Sequence, residues 1–155
     1  MTIAQHDHGR CTADLLARAE RTCSRHGARL TGPRREVLAC VGQSHAAVGA
    51  YDVIERMAAK GPRPAPITVY RALDFLMAQG LIHKIESRNA YVACLHPHEG
   101  QAAALMVCTA CGLVAELDAP DAAVVLKGGA AALGFAPERL VIEMTGLCAA
   151  CCGRH

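Results

Sequence analysis

Two Cys-x-x-Cys pairs near the end of the chain constrain its folding more than any other feature. They are Cys108 with Cys111, in "MVCTACGLVAEL", and Cys148 with Cys151, in "GLCAACCGRH". The pairs stand 36 residues apart in a sequence of 155. Each can present two thiolates from one tight turn, and two such turns close the tetrahedral shell of a single zinc ion. A shell of four protein ligands leaves no position for water, so the expected site is structural. A module this small needs a staple, and metal binding contributes folding free energy directly. A thiol oxidoreductase of thioredoxin type would place one pair at a helix start in a βαβ unit. Two pairs in turn contexts fit zinc better. Cys152 adjoins Cys151 and offers a spare thiolate, at poorer spacing.

The rest of the composition agrees with metal binding. The first residues, "MTIAQHDHGRCTADLLARAERT", hold no apolar signal-peptide core. Nine cysteines in such a chain point to reduced thiols rather than a disulfide framework. No apolar run reaches the roughly 18 residues of a membrane helix. The expectation is a cytoplasmic protein with no membrane partner. Residues 1–88 carry 13 Lys/Arg against 8 Asp/Glu, a balance of +5; residues 89–155 carry 3 against 6, a balance of −3. A basic first half suggests contact with a polyanion, although charge alone fits a solvated surface equally well.

The periodicity predicts a helix over 11–26, with Leu15, Leu16, Ala19 and Cys23 on one side. A second helix follows from "LTGPRREVLACV", with Thr31 as cap and Pro33 in the first turn. "AYDVIERMAAKG" is a third, stopped by Gly61, and "ITVYRALDFLMAQG" a fourth, ending at Gly80. In the fourth, Val69, Ala72, Leu73 and Leu76 face inward while Thr68 and Arg71 share an outward face. "LIHKIE" and "AYVACL" around "SRN" read as a β-hairpin. Small helices followed by a hairpin make a winged helix, whose last two helices form a helix-turn-helix. Beyond "CLHPHEG" the pattern is strand–knuckle–strand, helix, strand. The fold class is therefore α+β: a winged helix-turn-helix DNA-binding domain (1–93), a hinge (94–101) and a small α/β zinc-binding module (102–155).

A second donor set gathers at the hinge: His83, Cys94, His96, His98 and Glu116. Two imidazoles, one thiolate and one carboxylate suit Zn²⁺ without leaving net charge. His83 also fits an ordinary surface histidine, Cys94 a buried small hydrophobe, and Glu116 a solvated strand residue. Cys23 and Cys40 lie on apolar helix faces and read as packing residues.

These residues carry a resemblance. Over about residues 14 to 152 the chain resembles the ferric uptake regulator family, and within it the zinc uptake regulator branch. The pieces that match are "RLTGPRREVL", "AYDVIERM", "TVYRALDFLMAQGLIHKIES", "AYVAC", "CTACGLVAEL" and "GLCAAC". The resemblance implies a homodimeric, metal-dependent repressor on double-stranded operator DNA, with residues 102–155 as its dimerisation domain and no small-molecule substrate. No nucleophile–base–orienter set for hydrolysis is visible in the sequence, so no enzyme is expected. It places Cys108, Cys111, Cys148 and Cys151 on structural zinc ligands, and His83, Cys94 and Glu116 on regulatory ones, so two zinc ions per chain are implied. It places Tyr51 and Arg71 at base-contacting positions, with Thr68 and Tyr70 beside them. The fourth regulatory ligand of the family matches near Gln101, a poorer donor, so the expectation falls on His98, with His96 second. Arg139 stands where some relatives have a further histidine ligand. Arg34 and Arg35, near a helix start, suit phosphate contact. The alternatives are an iron- or peroxide-responsive member of the family and, from another class, the thiol oxidoreductase.

Overall fold

A computed structural model describes residues 8–94 and 102–153. His96, His98 and Gln101 lie outside the described residues. The chain divides into two compact units, Met1–Leu95 and His96–His155.

The first unit holds four helices and a three-stranded sheet. They are α1 (His8–Arg25), α2 (Gly32–Val41), α3 (Ala50–Ala58) and α4 (Pro66–Ala78), with strands β1 (Val48–Gly49), β2 (Ile82–Ile85) and β3 (Ala90–Ala93). The sheet order is β1-β3-β2, antiparallel throughout. The helix faces read from periodicity are the ones that pack. Leu15, Ala19 and Cys23 of α1, Val37 and Leu38 of α2, and Val53 and Ile54 of α3 enter one core. α4 closes it with Val69, Ala72, Leu73 and Leu76. Each large aliphatic side chain fully buried in this way stabilises by about 1.5–3 kcal/mol.

The helix ends differ from the sequence reading in detail. Thr31 occupies the cap of α2, but its hydroxyl makes no capping hydrogen bond. The start rests instead on Pro33 in the first turn, where no N–H needs a partner. α3 ends at Ala58, before Gly61, as the Ala59 N–H donates back to the Glu55 carbonyl. At its start, the Asp52 carboxylate accepts the Gly49 N–H at 3.2 Å. Gly80 does follow α4 with φ +68°, the left-handed conformation that ends helices without a Cβ penalty. The hairpin turn is a 3₁₀ turn, Glu86–Arg88, closed by Asn89 at φ +46°. β1 is two residues long, too short to carry a periodic signal in the sequence.

The second unit is a three-stranded sheet of order β5-β4-β6 with two helices. β4 is Ala103–Cys108, β5 Val114–Asp118 and β6 Ile142–Gly146; α5 is Pro120–Ala132 and α6 Ala149–Cys152. β4 pairs antiparallel with β5 and parallel with β6. Its large buried aliphatic side chains are only Leu105, Val107 and Val114 among the described residues. Conversely, Val124 and Val125 of α5 are 71% and 73% exposed, and Leu117, Leu126 and Met144 are about half exposed. Among the described residues no helix is long and apolar enough to cross a membrane.

Candidate metal centre and nucleic-acid interface

The four-cysteine site is built by strand register. β4 ends at Cys108, and Gly112, at φ +75°, turns the chain into β5. The Cys108 N–H donates to the Leu113 carbonyl at 2.8 Å, and the Gly112 N–H to the Cys108 carbonyl at 3.0 Å, closing the first knuckle. The parallel register sets Cys108 opposite Gly146, and the Thr109 N–H reaches the Gly146 carbonyl at 2.8 Å. The second knuckle therefore starts beside the first. Cys148 caps α6, and the N–H groups of Cys151 and Cys152 donate back to its carbonyl at 2.9 and 2.8 Å.

As a result, the sulfurs of Cys108, Cys111, Cys148 and Cys151 all lie within 4.8 Å of one another. Those of Cys111 and Cys148 are 3.8 Å apart. Zinc–sulfur bonds of about 2.3 Å at tetrahedral angles require sulfurs about 3.8 Å apart, so the donor set fits zinc. Backbone N–H groups support it: that of Cys148 donates to the Cys108 sulfur at 3.4 Å. With the N–H of Cys111, it holds the Cys108 thiol down to about 6. Cys151 is pushed the other way, to about 12, by hydrogen bonds to the thiols of Cys148 and Cys111. One sulfur that ionises early and one that ionises late describe a crowded thiol cluster, whose mutual repulsion a bound dication removes. Cys152 is exposed and lies outside the group.

In the first unit, His83 and Cys94 come together through the hairpin. His83 pairs with Val92, and the Cys94 N–H extends the ladder by donating to the Leu81 carbonyl at 3.0 Å. Cys94 is two residues beyond Val92, so it shares the face of His83 as its diagonal neighbour. The His83 ring nitrogen and the Cys94 sulfur lie within 4.8 Å of each other. Cys94 is buried and His83 half-buried. Glu116 stands on β5 of the second unit, half-buried. One participant gave no sequence signal: the Arg18 guanidinium of α1 donates to the Cys94 carbonyl, from 76 positions away.

Four of the residues proposed for DNA lie exposed on α3 and α4. Tyr51 is 67% exposed at the start of α3, and Thr68, Tyr70 and Arg71 are exposed on α4. Arg34 and Arg35 are half-buried and each has a partner within the same unit. The Arg34 guanidinium stacks 3.5 Å from the Phe75 ring centre and donates to the Arg29 carbonyl at 2.7 Å, while Arg35 pairs with Glu20. Arg139 is exposed, just before β6.

Residues 25–145 match the model of the ferric uptake regulator family. The chain belongs to the ferric uptake regulator family. It is 43% identical over 141 residues to the zinc uptake regulation protein of Escherichia coli (strain K12), covering 90% of this chain and 82% of that protein. Among solved structures it is similar to a zinc uptake regulator complexed with zinc and DNA, with a TM-score of 0.87 and 42% identity over 92% of this chain and 95% of that one. It is also similar to holo XcZur, with a TM-score of 0.83 and 40% identity over 90% of this chain and 98% of that one. The members of this family are transcription regulators, and the four cysteine sulfurs of this chain are spaced as zinc ligands.

Proposed function

We propose that the chain is a zinc-responsive repressor of zinc-uptake genes, acting in the cytoplasm as a homodimer on operator DNA. The observation that carries this reading is its likeness, over nine-tenths of its length, to zinc uptake regulators, one of them bound to zinc and DNA. Two donor groups that could hold a metal ion support this reading. Cys108, Cys111, Cys148 and Cys151 serve the structural ion. His83, Cys94 and Glu116 serve the regulatory ion, with His98, or His96 in its place, as fourth donor. Bound zinc supplies a dication that joins imidazole, thiolate and carboxylate in one shell. A soft thiolate in this set favours zinc over iron.

The chain's own residues do the rest. His83 precedes the 94–101 segment, Cys94 opens it and Glu116 follows it in sequence, so holding them together restricts the hinge. The two α4 helices of a dimer then match successive major grooves, about 34 Å apart. Shifting the hinge from mostly open to mostly closed requires about 5 kcal/mol of preference for the closed form, within reach of a four-ligand site. Arg71 offers a bidentate fork to guanine, Tyr51 packs on a base edge, and Thr68 and Tyr70 line the same helix. Arg34 and Arg35 are candidates for phosphate contact that each keep an internal partner. The open apolar surface of α5 and β6 supports burial against a second copy. The test pairs zinc content with a DNA-shift assay on the promoter of a zinc-import gene. The expected result is two zinc ions per chain, one lost to a mild chelator together with tight DNA binding. Equal DNA affinity before and after chelation would refute the mechanism.

A further inference from the structure

Three large apolar side chains are exposed in the described part of the first unit: Tyr51, Ile67 and Tyr70. All three sit on the helix-turn-helix pair, within the opening turns of α3 and α4. Tyr51 and Tyr70 have polar ends that suit a wet surface. Ile67 has none, yet it is 58% exposed at the second position of α4. A β-branched residue gains nothing there as a helix former.

Its direction is set by the buried stripe. Val69, Ala72, Leu73 and Leu76 face the core, so at 3.6 residues per turn the opposite side of α4 carries Ile67, Arg71, Asp74 and Ala78. Ile67 therefore points away from the core, one turn before Arg71 on the same stripe. That turn is about 6 Å along the helix, the length of roughly two base steps. The first turns of a recognition helix are the part that reaches base edges. The one apolar feature of a base edge in the major groove is the thymine C5-methyl.

We infer that Ile67 is a specificity-determining residue that reads a thymine methyl, one or two base steps from the guanine read by Arg71. This rests on the repressor reading above. The test uses zinc-loaded full-length protein and the tightest duplex it selects from a random pool. Each thymine of that duplex is replaced in turn by deoxyuridine, which removes only the methyl. At one thymine per half-site the wild-type affinity should fall about three- to fivefold, the effect of uncovering one methyl-sized apolar group. The Ile67→Ala variant, whose helix is favoured by the change, should bind thymine and uridine duplexes alike there, with an unchanged salt slope. An equal uridine penalty in Ile67→Ala, or no sensitive thymine in the wild type, overturns the inference while leaving the repressor reading in place. Failure to select any zinc-dependent duplex refutes the repressor reading, and the inference with it.

Discussion

Replacing Cys108 with Ser should separate the stabilities of the two units. The first unit carries its own core, in which Leu38, Ile54, Leu73 and Leu76 are fully buried. The second has Leu105, Val107 and Val114 as its large buried aliphatic side chains among the described residues. At about 1.5–3 kcal/mol each, these three do not approach the cost of ordering a module of this size. Structural zinc supplies about 10–16 kcal/mol in zinc-finger peptides, comparable with the whole stability of an ordinary domain, about 5–15 kcal/mol. Losing one thiolate from a set whose sulfurs lie within 4.8 Å of one another should therefore unfold the second unit. The assay is amide hydrogen exchange on the full chain, read segment by segment. In Cys108→Ser, the amides of β4, which pairs with both β5 and β6, should exchange near the unprotected rate. Those of α2 and α4 should keep wild-type protection. Native protection of β4 in a variant shown to hold no zinc at the knuckles would refute the claim that metal holds this unit together.

Three further outcomes follow from the same geometry. Cys94→Ser should abolish zinc-dependent operator binding while far-ultraviolet circular dichroism and dimer mass stay unchanged; a full zinc response would remove Cys94 from the regulatory site. Leu38→Ala, at a position with no solvent exposure, should cost the first unit about 2–5 kcal/mol in urea denaturation, and a cost below about 1 kcal/mol would mean the core is looser than its packing. Burial raises the thiols of Cys23 and Cys40 above the ordinary range, so in native zinc-loaded protein both should resist alkylation even near pH 9, while exposed Cys152 reacts; rapid labelling of Cys23 would show that α1 opens readily.

The sequence by itself determined most of the elements and the four cysteines of the knuckles. Apolar spacing placed the buried faces of α1 to α4 because a helix repeats every 3.6 residues and the core selects one side of it. The spacing of two Cys-x-x-Cys pairs announced a tetrathiolate site because the zinc shell needs four sulfurs and each tight turn presents two. Tertiary structure decided what depends on contacts between distant positions. The Cys108–Gly146 register sets one knuckle against the other, and the diagonal of a hairpin brings Cys94 to His83. Arg34 stacks on Phe75 and Arg35 pairs with Glu20, although as letters they look like free cations. The Arg18 contact with Cys94 spans 76 positions, and no local pattern encodes a partner that only the packing of α1 brings near.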